Sequence, residues 1–220
     1  LQSNAVLRAL RDEDPQVELA PAVDYGHLTG GQPLGLSVDL TPRWTRDYVA
    51  GYARALRAWL RPSALYVVDV HRSPVHRAAI QDGLSDSRAE RWAFRWLHEP
   101  LVEFAGDRGD QHAGGVETAL IERIDPELLD ARWWPARLDE LRAGQMPLEQ
   151  AVELSADLAE FVAAVERTRD VGPAWNGIVG DIDNYHRVDG DAMFRTMLDV
   201  ARADIRELKQ TGDSPPGHVN

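Results

Sequence analysis

Residues 34–70 spell out strand, helix, strand, and so predict an α/β domain with a parallel sheet. Residues 64–70 (ALYVVDV) are a continuous apolar run rich in β-branched side chains, the pattern of a strand buried on both faces. Ahead of it, Trp44, Tyr48, Tyr52, Leu56 and Trp59 or Leu60 recur at helical spacing and give one apolar face. Residues 34–40 (LGLSVDL) read as a strand before that helix. This order implies a right-handed crossover between parallel neighbours.

Each remaining element has its own signal. Residues 5–12 read as a short helix, and 16–23 (QVELAPAV) alternate like a strand that Pro21 ends. Three glycines and a proline make 25–33 a loop. Thr41 suits the N-cap of the next helix, with Pro42 at its first position, where a missing N–H costs nothing. Further helices are expected near 75–82, 114–124, 148–167 and 189–209, with looser Trp-rich segments at 89–104 and 131–138. The last helix presents Met193, Met197, Val200, Ala201, Ile205 and Leu208 on one side. Asp189 near its start and Lys209 near its end suit the helix dipole. No repeat or low-complexity linker divides the chain, so 1–210 is expected to be one domain and 211–220 a frayed tail.

Bulk properties narrow the function. The 220-residue chain is 44% hydrophobic and 27% charged, as expected of a soluble protein with a sizeable core. A net charge of −12 argues against a nucleic-acid partner, which needs a basic surface. Arginines interleave with acids, as in RDEDP, and Lys209 is the lone lysine. With no cysteine, disulfides, thiolate metal sites and cysteine nucleophiles are excluded. No apolar run is long enough to span a membrane and no signal peptide is evident, so a cytoplasmic location is expected. The chain opens LQSNAVLRAL, already helical in pattern. Either SNA is the scar of a removed tag, or residues that precede Leu1 in the gene are missing.

Candidate chemistry gathers at two places. His71 directly follows ALYVVDV, where ligands of parallel sheets bind, or else its imidazole simply bonds nearby backbone. Asp110, His112 and Glu117 flank HAGG, whose small residues let backbone approach a ligand closely. The five-residue spacing of His112 and Glu117 is not a helical zinc pair, so they converge only across a turn. His27 lies in a Gly-rich loop that could approach a site. His76 reads as a surface residue, and His98 and His186 sit in polar, turn-like contexts. Trp92, Trp96, Trp133, Trp134 and Trp175 read as core or subunit contacts, or as a pocket wall. No Walker loop, GxSxG elbow or GxGxxG is present.

GDQHAGGVETALIERIDPELLD resembles the HAGxxET segment of the creatininase family, with its helix and PELV continuation. The residues from APAVDYGH through PLGLSVDLTP to ALYVVDVH are similar to that family's loop, helix and strand ending in NGHGGN. GIVGDIDNYHRVDGDAMF resembles its closing segment. The resemblance implies a three-layer α/β/α domain with a mostly parallel central sheet, assembled as a homo-oligomer, a hexamer of six chains built from dimers. It also implies hydrolysis of a C–N bond in a small cyclic amide, formamide or peptide. Divalent zinc or manganese would activate water while a carboxylate or histidine moves the proton. On this reading His112 and Glu117 are catalytic, His71 and Glu117 ligate metal, and Arg72 and Asp110 contact substrate.

The departures from the family pattern are equally specific. Its first metal motif, ExHGxHLPxxTD, aligns so that the bridging Asp is Asn4, a neutral amide and a poorer ligand, while the positions of its Glu and His fall before Leu1. NGHGGN becomes DVHRSP, which puts the permanent cation of Arg72 beside His71. HAGE becomes HAGG, leaving Gly115 at the acidic position. Two readings follow: a metal-dependent amidohydrolase, or a diverged member without the metal pair that binds, assembles or runs metal-independent chemistry.

Overall fold

The computed structural model describes residues 1–23, 26–27, 40–71, 73–106, 110–129, 135–147, 149–150 and 176–210. It is a mixed α/β structure, mostly helical, with a small parallel sheet. Helix α1 (Gln2–Glu13) opens the chain and α2 (Pro42–Leu60) follows. Thr41 caps α2 as its sequence predicts, its side chain accepting from Trp44 N–H at 3.2 Å, a contact worth about 1 kcal/mol. Strand β1 (Leu65–Asp69) then leads through Ser73, which caps α3 (Pro74–Asp86), to β2 (Trp92–Trp96). The two strands run parallel, in register from Leu65 opposite Trp92 to Asp69 opposite Trp96.

The β2 strand corrects the looser expectation for 89–104. Phe94 packs into the core while Arg95 reaches α6 (Gly190–Gln210), where both its η and ε nitrogens bond Asp204 at 2.7 and 2.8 Å. Tyr66 Oη donates to the same carboxylate at 2.8 Å, tying both strands to the last helix. Residues 16–23, expected as a strand, carry no strand pairing. A turn at Asp14–Val17 and the donorless Pro21 break the ladder pattern, and Pro21 O instead accepts from Tyr52 Oη. Of the expected strand at 34–40 only Leu40 is described, of the expected helix at 148–167 only 149–150, and of 131–138 only 135–138, while the tail from 211 lies wholly outside the described residues.

Side chains of β1 divide between two cores. Leu65 and Val67 join Ala53, Ile80 and Leu84 under α2 and α3. Tyr66 and Val68 face a larger cluster built from α1, α6 and α4 (Gly115–Ile124), including Val6, Leu10, Leu120, Met193 and Met197. A 3₁₀ turn at Glu99–Phe104 follows β2 and seats Leu101 in that larger cluster. Two short strands, β3 (Asp110–His112) and β4 (Val179–Gly180), pair antiparallel with a bulge between Asp110 and His112. Helix α5 (Leu138–Gly144) and a 3₁₀ turn at Ile182–His186 lie beside them, and the latter packs on α4.

Candidate functional site

The HAGG turn joins β3 to α4, and two carboxylates, Asp110 and Glu117, hold its backbone. Asp110 Oδ2 accepts from Val116 N–H at 2.7 Å, so a carboxyl from β3 holds the first turn of α4. Gly114 leaves the space for it, since a Cβ there would fall about 2.5 Å from the carboxyl carbon. Glu117 Oε2 accepts from Ala113 N–H at 2.5 Å, closing the turn from the helix side. Ala113 takes φ +54, the left-handed region, which costs an alanine about 1 kcal/mol or more. Strain is thus held at the residue beside His112.

Gly115, at the position where the family carries an acid, has a structural reason of its own. A Cβ there would lie 2.6 Å from the Asn184 carbonyl carbon and 2.7 Å from Ile182 O, and nearer still to Tyr185 N. The start of α4 meets the 182–186 turn backbone to backbone, and Gly115 N–H donates to Asp181 O at 3.2 Å.

The catalytic candidates do meet across the turn. His112 Nδ1 lies 3.9 Å from Glu117 Oε2, with the His112 side chain 60% exposed and that of Glu117 22% exposed. On the buried side, His98 Nδ1 lies 3.4 Å from Glu117 Oε1 and its Nε2 is 2.5 Å from Gln2 Oε1. Neither His98 nor Gln2 is distinguishable in sequence as a site residue, because their partners are distant along the chain. Asp110 is half-buried, and burial pushes its carboxyl up to about 7, opposed by the Val116 N–H and reinforced by the nearby charges of Glu117 and Asp181.

A second group lies at the carboxyl end of β1. Asp69 Oδ1 accepts from His71 N–H at 3.0 Å, and burial raises its carboxyl above the ordinary range. His71 meets solvent, yet the His71 and His76 rings stand edge to face at 5.6 Å. Desolvation lowers the pKa of His71, with Asp69 opposing and His76, His112 and His27 adding to the fall. A neutral imidazole is the form that binds metal or takes a proton. The expectation that His76 is a surface residue is corrected: it is 8% exposed, because Gly26 leaves room for its ring and His27 N–H donates to its Nδ1 at 3.1 Å. Burial lowers its pKa as well. His27 does approach the site, through that bond. His186 is exposed on the 182–186 turn.

The residues expected to ligate metal lie on three separate elements, the end of β1, α4 and α1. Asn4 is exposed on α1, along a groove of about 920 Å³ that runs beside β1 to Asp69, Val70 and His76. Among the described residues, no three His, Asp or Glu side chains converge to hold an ion. Arg72 lies outside the described residues. Among those residues, too, no helix is long and apolar enough to cross a membrane.

These features define a mixed α/β protein with a paired carboxylate–histidine turn beside a histidine-bearing strand end. The chain is 26% identical over 183 residues to the mycofactocin precursor peptide peptidase of Mycobacterium ulcerans (strain Agy99), a match covering 82% of this chain. It spans 62% of that relative's length. That relative is by its name a peptidase. No family model and no solved structure matches the chain.

Proposed function

We propose that the protein is a creatininase-like hydrolase of a C–N bond, with the HAGG turn as its working part and a short peptide as the favoured substrate class. The observation that carries this reading is Glu117: one carboxylate oxygen is fixed by Ala113 N–H while histidines approach both oxygens. A carboxylate so held is suited to take a proton from an attacking water and return it to the leaving amine. His112, exposed at the mouth of the turn, is placed to bind or orient the scissile carbonyl. Asp110 shapes the turn through the bond it accepts from Val116 N–H. The groove along β1, walled by Trp44, Tyr48 and Tyr52, has a volume within the range of ligand sites. The peptidase relative favours a peptide over a cyclic amide or formamide.

The reading includes a three-layer α/β/α domain, which the division of β1 side chains between two helical cores supports. It also includes homo-oligomer formation, for which exposed Trp44, Tyr48 and Trp59 supply apolar contact. The second reading, a diverged member that binds without the metal pair, is favoured by one specific observation. The Asn4 position carries a neutral amide, and its side chain lies on the α1 surface. Substrate profiling separates the two. Short peptides, formamides and cyclic amides are incubated with the protein, with and without added zinc or manganese, and products are read by mass spectrometry. Cleavage of a peptide C–N bond supports the hydrolase; binding of peptides with no cleavage in any metal condition favours the second reading.

A further inference from the structure

We propose that a cleft at the entry to the parallel sheet is an anion site for a small molecule bearing a phosphate or pyrophosphate group, held by Arg57, Arg61 and Arg91. This site is independent of the hydrolase reading. It lies where β1 begins, whereas His71 stands beyond the strand's other end.

The fold gathers the three arginines from separate elements. Arg57 lies in the last turn of α2 and Arg61 is its C-cap. Arg91 immediately precedes β2, and its carbonyl accepts from Leu65 N–H at 3.0 Å, which sets the starts of β1 and β2 side by side. The cleft they line measures about 450 Å³, within the range of small-molecule sites, and Pro62, Ala64 and Leu65 give it an apolar wall.

Charge singles this cleft out. The chain carries −12 overall, and elsewhere its arginines meet carboxylates: Arg46 with Asp86, Arg95 with Asp204, Arg142 with Asp183, Arg202 with Glu13. Among the described residues Arg57, Arg61 and Arg91 meet none, and Glu90 is the one acid lining the cleft. Half-buried cations are ordinarily paired. Arg57 and Arg91 are half-buried, yet only neutral main-chain carbonyls hold them. Arg91 Nε donates to Ser63 O at 3.1 Å and its Nη1 to Leu208 O at 2.9 Å, while Arg57 Nη1 donates to Ser87 O at 3.1 Å. Those bonds fix both guanidiniums and leave Nη2 of each without a partner. Arg61 uses none of its donors on the described residues. It stands at φ +50, a C-cap conformation that glycine fills at lower cost.

The bland reading is that these cations only offset helix ends. Helices α2, α3 and α6 all end nearby, and each end is worth about half a charge. Even with Glu90 added, that falls short of three guanidiniums, and Arg88, beside the lining Ala89, adds another that meets no carboxylate. A phosphate group suits the surplus better than a carboxylate, since it carries more charge and more acceptor oxygens for several arginines at once. No aromatic ring is among the described lining residues, so a nucleobase has nothing to stack on. A small aliphatic phosphate ester or diphosphate fits.

Isothermal titration calorimetry of the full chain tests this, with inorganic pyrophosphate, inorganic phosphate and succinate as probes. The wild type is expected to bind pyrophosphate at a single site, more tightly than succinate and more weakly as salt rises. Arg61→Gln loses no internal bond and is expected to fold normally, with pyrophosphate affinity down about tenfold, the scale of one charge-assisted bond. Arg43→Gln, at the far end of α2, removes the same charge and is expected to leave affinity unchanged. Absence of pyrophosphate binding by the wild type overturns the proposal whatever the variants do. Unchanged affinity in Arg61→Gln overturns it too, and so do equal losses in both variants, which would mean an adventitious ion only. Succinate binding as tightly as pyrophosphate overturns the assignment to phosphate.

Discussion

Replacing Gly115 with alanine sets two opposite effects against each other, and the structure says which wins. Gly115 is the first residue of α4, and alanine in a helix is ordinarily worth about 0.5–1 kcal/mol more than glycine. Against this, the added Cβ would meet backbone of Ile182, Asn184 and Tyr185, two of the contacts being 2.6 and 2.7 Å. Backbone cannot rotate aside as a side chain can, so α4 and the 182–186 turn must separate. Overpacking of this kind costs about 1–3 kcal/mol or more. A net loss of roughly 2 kcal/mol corresponds to a fall in Tm of about 4–8 °C for a chain of this size. Gly51→Ala in mid-α2 is the matched control, because nothing lies within 4 Å of its added Cβ; it is expected to raise Tm by about 2–4 °C. Both are read by thermal unfolding followed by circular dichroism. A Gly115→Ala protein as stable as the wild type would refute the close approach, and with it the explanation for the glycine at the family's acidic position.

Other expectations concern the same turn and its supports. Ala113→Gly relieves the left-handed backbone and is expected to stabilise the protein by about 1 kcal/mol in urea titration, whereas a loss would mean the turn is unstrained. Because burial raises Asp110 from 3.8 to about 7, the folded chain binds more protons than the unfolded chain between those values, and stability falls as pH rises through that window. Asp110→Asn keeps an acceptor for Val116 N–H but removes the fall, so it should gain on the wild type above pH 7 by up to ~4 kcal/mol and not at pH 4. Parallel urea curves at pH 4 and 8 check this; equal differences at both pH values count against it. Asp204→Ala strands Arg95 and Tyr66 and is expected to cost about 3 kcal/mol or more, while a neutral result would show that the network adds nothing.

Elements with strong local signals were legible in the sequence. The Thr41 cap and the aromatic period of α2 announce that helix, the ALYVVDV run announces β1, and the Met-bearing stripe announces α6. Strand β2 was not, because its Arg95 looks misplaced until Asp204, 109 residues away, supplies the partner. Strands of three and two residues, β3 and β4, are too short for any period to show. The candidate site divides the same way. The meeting of His112 and Glu117 follows from HAGG and the start of a helix, both local features. Gln2 and His98 become partners only where the fold brings α1 to the turn after β2, 96 residues along the chain, and His76 is buried only because Gly26 makes room for its ring. Asp69 was hidden within an apolar run that reads as plain strand.

The central claim, that the Glu117 carboxylate does the chemistry, is tested most directly by single-turnover hydrolysis of a cleavable peptide by wild type and Glu117→Gln, with equal Tm confirmed beforehand. The account predicts hydrolysis by the wild type and a rate at least ~100-fold lower in the variant, the usual scale for losing a general acid–base. Equal rates, or no cleavage by a folded wild type, would contradict it.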